Sequence, residues 1–413
     1  MGKQTEILEN IFNNILGESR VFRNRDALRH DYIPDYLPHR EEEIRVLGQI
    51  LGPSLRGTPC SNVLIYGKTG TGKTAVTKFV LKQLAAKAEE IESPLKVSFV
   101  NCRLAGTEYR ILSALCSSID VKVPFTGLAL GEVFDRFKSA LDSEKIVLVV
   151  ALDEIDALIK ERGDILLYEL TRINESLGKS KVSMLGISND LRFKEMLDPR
   201  VLSTLSEEEI VFRPYNAEEL RDILEQRAKI AFKEGVSVDV AIKLCSAIAA
   251  AEHGDARRAL DLLRVSAELA EREGKDFISE DHVYQAQKRI EHDRVVEALR
   301  SLPTHSKIVL LSIFLLSRSK ARGFMTGDIY NVYCELCEEM GLSPLTQRRV
   351  SGLINELDVI GLVNSRVVSL GRYGRSKKTM LGVPSRIIKD VLIRDERLGS
   401  MINYAPKYLV SLR

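Results

Sequence analysis

Eight residues, Gly67-Lys68-Thr69-Gly70-Thr71-Gly72-Lys73-Thr74, constrain the fold of this chain more than any other feature. They complete G-x-x-x-x-G-K-[ST] between an apolar run, Val63-Leu64-Ile65-Tyr66, and a helix-forming stretch, Ala75-Val76-Thr77-Lys78-Phe79-Val80-Leu81. Strand, glycine loop and helix in that order are the setting that a nucleotide-phosphate loop requires. The glycines let successive backbone N–H groups turn inward around phosphates, and the helix N-terminus adds its partial positive charge. Gly70, Thr71, Gly72, Lys73, Thr74 and Ala75 are therefore expected to bind a nucleoside triphosphate. Lys73 is placed to bridge the β- and γ-phosphates, and the Thr74 hydroxyl to ligate Mg2+.

A second motif follows about 80 residues later, at Ile146-Val147-Leu148-Val149-Val150-Ala151-Leu152-Asp153-Glu154-Ile155-Asp156. A continuous apolar run is the mark of a strand buried on both faces, as in a parallel sheet. The acidic pair sits at its C-terminal end, where open α/β sheets place ligands. Asp153 is expected to hold the magnesium, through water or directly, and Glu154 to activate the attacking water. Capping of the following helix suits Asp156 better than Asp153. A third run, Val182 to Ser188, ends in Asn189, whose amide can bond both the γ-phosphate and that water. Val97–Val100 and the run Glu209–Tyr215 supply two further strands. Strands alternating with helical stretches predict a doubly wound α/β domain.

From Asn216 to about Ile290 the strand signals vanish. Four stretches, Ala217–Lys233, Val238–Ala251, Asp255–Glu271 and Ser279–Ile290, carry apolar residues at helical spacing. Here the chain resembles the AAA+ ATPases, and more closely the archaeal origin-recognition replication initiators, homologues of the origin recognition complex and of the Cdc-type helicase loader. Asp31-Tyr32-Ile33-Pro34-Asp35-Tyr36-Leu37-Pro38-His39-Arg40-Glu41-Glu42 resembles the family's box that packs near the adenine. The resemblance puts Asn189 at the first sensor, Arg257 at the second sensor in a helical lid, and Arg200 of Asp198-Pro199-Arg200 at the arginine finger. It also puts Tyr215 and Arg227 around the nucleotide, the ring over the adenine face and the guanidinium on nucleotide oxygens. It matches Thr107–Thr126 to a helical insertion, near 107–127, that reaches DNA in relatives; the same residues suit a packed amphipathic helix.

Formal net charge is +2, but residues 301–413 hold 17 Lys/Arg and 9 Asp/Glu, so the remaining chain is net acidic. A basic module on an acidic body suits a polyanionic partner. Within that module Ser306–Leu316 and a stretch opening at Thr326 predict two helices. A third is expected to open at Ser343-Pro344, with Val350, Leu353, Ile354 and Leu357 as its buried stripe. Arg348 and Arg349 fall off that stripe, among side chains able to reach base edges and phosphates. Gly361-Leu362-Val363 and Val367–Leu370 are expected to pair with Thr379–Val383 around a loop carrying Arg372, Tyr373, Arg375, Lys377 and Lys378. From Val359 to Lys389 there are seven cations and no acidic residue. Three helices and a basic hairpin describe a winged helix, with the hairpin on phosphate or a narrow minor groove and the third helix in the major groove.

The expected organisation is 1–215 nucleotide-binding base, 216–294 helical lid and 295–413 winged helix. No apolar stretch approaches the roughly 18 residues of a membrane span. The polar Met1–Asn10 carries no signal-peptide core, and six scattered cysteines suit a reducing cytoplasm, with nucleoid association following from DNA. Cys334 and Cys337, with no second ligand pair nearby, are expected on a helix face. The resemblance implies slow ATP hydrolysis to ADP as a switch, double-stranded origin DNA and the replicative helicase as partners, and self-association or pairing with a paralogue. The alternatives are an AAA+ winged-helix transcription regulator and a clamp-loader-like or helicase-like motor.

Overall fold

The structure is a computed structural model that describes residues 19–318, 323–369 and 375–407. It divides into two compact units, Met1–Tyr284 and Gln285–Arg413.

The first unit is built on a five-stranded sheet. Its strands are β1 (Val63–Gly67), β2 (Leu95–Asn101), β3 (Val147–Asp153), β4 (Lys181–Ser188) and β5 (Glu208–Phe212), in the order β2-β3-β4-β1-β5 with every neighbour parallel. All seven residues of β3 are buried, because helices cover both faces of the sheet. Leu148, Val150 and Leu152 pack with the helices Glu108–Ser118, Leu130–Glu144 and Ile165–Arg172, whereas Val147, Val149 and Ala151 pack with Glu41–Leu51 and Lys73–Glu90. The register matters for the site. Asn101 pairs with Asp153, Asp153 with Ile187, and Tyr66 with Ser188, so the C-terminal ends of β1, β2, β3 and β4 finish level. The chain leaves β1 for the far edge of the sheet at β2, and the crevice at such a reversal is where open α/β sheets bind ligands.

The insertion helix Glu108–Ser118 is packed: Ile111, Leu112, Leu115 and Cys116 lie in the core, and Thr107 caps its N-terminus by accepting from the Arg110 N–H. In the segment that follows, Phe125 is 92% exposed.

Three helices, Ala217–Ala231, Asp239–Ala251 and Ala256–Arg272, complete the first unit. Asn216 and Glu219 form a capping box on the first, and the Asp255 carboxylate caps the third by accepting from Arg257 and Arg258 N–H groups. The fourth expected helix runs Glu280–Ser301, past Ile290. Its sequence holds no glycine or proline before Pro303, so nothing stops the helix at residue 290. The chain passes from the first unit to the second within this helix, between Tyr284 and Gln285.

The second unit contains the helices Thr304–Leu316, Thr326–Glu339 and Gln347–Val359, with β6 (Phe324–Met325), β7 (Val363–Ser369) and β8 (Arg375–Leu381) in the antiparallel order β6-β8-β7. Val350, Leu353, Ile354 and Leu357 are all buried, as the stripe predicted. The third helix starts at Gln347, later than the expected Ser343-Pro344, because the Thr346 hydroxyl accepts from the Arg349 N–H and caps it there. Cys337 is buried in the core of this unit, with Cys334 packed beside it on the same helix. Among the described residues no helix is long and apolar enough to cross a membrane.

Candidate nucleotide site and nucleic-acid interface

At the level ends of the strands a cavity of about 330 Å³ opens, within the range of small-molecule sites. One end is lined by Lys73, Thr74, Asp153, Glu154 and Asn189, the other by His30–Pro34, Tyr215 and Arg227, with Arg257 also on the wall. The two motifs read from sequence meet in it. Thr74 Oγ1 donates to Asp153 Oδ2 at 3.0 Å, joining residues 79 positions apart. Two oxygen ligands so placed suit a small hard cation. Asn101 Nδ2 also reaches Asp153 Oδ2, at 3.5 Å.

Gly70 and Gly72 adopt φ of +74° and +92°, which an L side chain rarely takes. A Cβ on Gly70 would collide with the Asp255 carboxylate, and one on Gly72 with the Tyr215 hydroxyl. Below the loop, Lys73 Nζ donates to the carbonyls of Gly67 and Lys68 at 2.8 and 2.7 Å. Burial, and then the nearby Arg257, push the Lys73 ammonium down to about 8. Glu154 turns the chain out of β3 at φ 54°, ψ 44°, a left-handed conformation of the kind that gathers at functional sites. Its carboxylate lies 3.9 Å from the Arg103 guanidinium.

Asp156 does not cap its helix, which has no side-chain cap. Its Oδ1 instead accepts from the Ser188 hydroxyl and the Asn189 N–H, each at 3.2 Å, because β4 ends level with β3 and presents those donors. Arg227 forms no ion pair among the described residues. It is buried, its Nη2 donates to the Tyr32 carbonyl at 2.9 Å, and its guanidinium lies 4.7 Å from the Tyr32 ring centroid. Burial pushes it down to about 10. Tyr215 is buried, with one ring face taken by Arg40.

Arg40 lies in the box expected near the adenine, but sequence reasoning assigned it no role of its own. Only 1% exposed, it donates from Nε to Thr71 O and from Nη2 to Arg213 O, at 3.0 and 2.7 Å, and pairs with Glu43. The box marks the segment, whereas Arg40's burial against Thr71 and Arg213 depends on contacts across the fold. Arg200 is set apart. It is 73% exposed, paired with Asp198 on its own loop, and absent from the cavity wall.

In the second unit Arg348 and Arg349 are exposed in the first turn of the helix Gln347–Val359. Arg349 leans toward Glu356 at 3.7 Å. Lys377 on β8 donates from Nζ to Asn355 Oδ1, tying the hairpin to that helix. The Arg375 backbone opens β8, while Arg372 and Tyr373 lie outside the described residues.

Three family models match successive parts of the chain: "AAA domain" at 56–192, "Cdc6 AAA+ ATPase-type lid domain" at 221–288 and "CDC6, C terminal winged helix domain" at 297–391. An ORC1-type DNA replication protein of Thermococcus onnurineus is 50% identical over 399 residues, 96% of each chain. The chain belongs to the ORC1-type DNA replication proteins.

Among solved structures, the Aeropyrum pernix ORC1 protein in complex with DNA superposes with a TM-score of 0.86 at 49% identity, covering 93% of this chain and 100% of that one. The ADP form of Aeropyrum pernix ORC2 matches at 25% identity and TM-score 0.59, over 92% and 99%. An ORC1-type relationship along nearly the whole chain does not favour the transcription-regulator alternative. It supports an AAA+ ATPase unit that binds nucleotide, followed by a winged helix, in a DNA-binding replication protein.

Proposed function

We propose that this ORC1-type protein is a slow, ATP-operated switch on replication-origin DNA, and that its DNA-bound form recruits the replicative helicase. The observation that carries the switch is the docking of the lid on the phosphate loop. The Ala256 N–H donates to the Gly70 carbonyl at 3.1 Å, and the Asp255 carboxylate abuts Gly70. A lid resting on that loop retains a nucleotide, and retention favours a switch over a motor.

The geometry supports the following residue roles. Backbone N–H groups of Gly70–Ala75 would hold the β-phosphate, with Lys73 supplying charge. Thr74 and Asp153 would hold Mg2+, which when bound neutralises charge on the phosphate oxygens. Glu154 would take the proton of the attacking water, and Asn189 would orient that water. Arg257 is the lid cation on the same wall. Arg227 and Tyr32 would frame the base end.

The test compares wild type with Glu154→Gln. The variant should bind ATP normally while hydrolysis falls by about 10²-fold or more, the usual worth of a general base. Its grip on origin duplex should stay at the ATP-bound value after prolonged incubation, while wild type drifts to the ADP value. Identical origin affinity with ATP, with ADP and with neither would defeat the switch. Helicase recruitment is checked by capture of the purified helicase on origin DNA with and without this protein.

A further inference from the structure

We infer that Asp156 is a positioning residue for hydrolysis, acting through Asn189. This rests on the reading of Asn189 as the residue that orients the attacking water. Asp156 sits three positions beyond Asp153, in the first turn of the helix Ile155–Arg162, yet its carboxylate serves the neighbouring strand. Oδ1 accepts from the backbone N–H of Asn189 and from the hydroxyl of Ser188, each at 3.2 Å. The Ser188 hydroxyl in turn accepts from the Asp190 N–H at 3.0 Å. Lys160 closes the ring of contacts, with Nζ 2.7 Å from Asp190 Oδ2 and 3.9 Å from Asp156 Oδ2. The strand exit that presents Asn189 to the cavity is therefore held on both sides, by a carboxylate from β3's helix and by a lysine one turn further along it.

The physical consequence is specific. Asn189 leaves the sheet where ladder hydrogen bonds end, so its backbone would be free to turn without another acceptor. Asp156 supplies that acceptor and is only 15% exposed at its side chain, so little water can replace it. It is absent from the cavity wall, and its one reach toward the phosphate loop is a through-space pull on the Lys73 ammonium, behind that of Asp153, so its effect on nucleotide affinity should be small beside its effect on Asn189. A misplacement of about 1 Å in a group that aligns a nucleophile can cost on the order of 10²-fold in rate.

The experiment measures single-turnover ATP hydrolysis and nucleotide affinity in the full chain for Asp156→Ala, Asp156→Asn, Asn189→Ala and the Asp156→Ala/Asn189→Ala double variant. Asp156→Ala should lower the rate by at least about tenfold with the affinity for ATP within about twofold. Asp156→Asn keeps an acceptor oxygen and should recover most of the rate. In the Asn189→Ala background, Asp156→Ala should do little more, the non-additivity of residues acting as one unit. If Asp156→Ala does not fold, Ser188→Ala removes the bridging hydroxyl and should lower the rate severalfold at unchanged affinity. Equal losses from Asp156→Ala in both backgrounds, or an unchanged rate, would overturn the positioning role alone. An unchanged rate in Asn189→Ala would overturn the reading of Asn189 and the positioning role together.

Discussion

The Arg40 guanidinium lies over the Tyr215 ring, 3.9 Å from its centroid, while its Nε holds the carbonyl of Thr71 in the phosphate loop. One side chain thus joins the segment ahead of the first helix, the phosphate loop and the junction to the lid. A buried cation of this kind is satisfied only by the complete set of acceptors around it. Arg40→Ala should destabilise the protein by about 3–5 kcal/mol, the usual loss on breaking a buried pair. Arg40→Lys keeps the charge but loses the planar fork, and should fall between the two. Urea unfolding of the three proteins checks this order, and an unchanged midpoint for Arg40→Ala would contradict it.

Lys73 gives a pH dependence with a definite sign. Burial first, and then Arg257, hold its ammonium at about 8, below the 10.5 of an exposed lysine. Between those values the unfolded chain binds more protons, so the stability of the nucleotide-free protein should rise with pH across that window. Phosphate oxygens beside Lys73 favour the charged form and draw its pKa back up. Nucleotide binding above pH 8 should therefore take up a proton, and ADP affinity should fall as pH rises from 8 toward 10. Calorimetric titration with ADP at pH 7 and pH 9, in buffers of different ionisation enthalpy, measures the uptake. Equal proton linkage at both values would refute the assignment.

Much of the site was legible because its signals are local. The glycine loop between Tyr66 and Ala75 and the apolar run into Asp153 each state their own geometry, and the level strand ends follow from both lying in one parallel sheet. What sequence left unread depends on contacts across the fold. Arg40 finds Thr71 and Arg213 only when β5 returns beside the loop, and Asp156 finds Asn189 only through the register of β3 with β4. The resemblance put Arg227 at the nucleotide, but not the backbone carbonyls of Arg29 and Tyr32 that its guanidinium holds. β6 is two residues long, too short for any alternation to show. The third helix of the winged unit began later than Pro344 because a threonine hydroxyl outweighed a proline's fixed φ.

Arg200 should work on a neighbour's site. Its exposed guanidinium is paired with Asp198, and no part of it lines its own cavity. Lys73→Ala protein has a dead site and an intact arginine; Arg200→Ala has the reverse. Each alone should hydrolyse ATP poorly on origin DNA, and a mixture should regain part of the wild-type rate through sites completed across two copies. A mixture no more active than the sum of its parts would remove Arg200 from the mechanism.

The two kinds of cation in the winged unit should separate in their response to salt. Arg348 and Arg349 are exposed in the first helical turn, with Arg349 partly engaged by Glu356, whereas Lys377 sits at the hairpin and is tied to Asn355. A hairpin lysine that meets phosphate releases a counterion, so Lys377→Ala should flatten the plot of log affinity against log salt by about 0.9, equally on origin and random duplex. Arg348, free of the Glu356 carboxylate, is the better placed of the two arginines to read a base edge. Arg348→Ala should cost about 1–3 kcal/mol on the origin and much less on random DNA. Arg349→Ala should cost less on the origin than Arg348→Ala, because Glu356 competes for its guanidinium. Titrations of the three variants at several salt concentrations, on both duplexes, decide between these outcomes. Equal losses on origin and random DNA for Arg348→Ala would make it a phosphate contact, and the helix Gln347–Val359 would then position the protein without reading sequence through that residue.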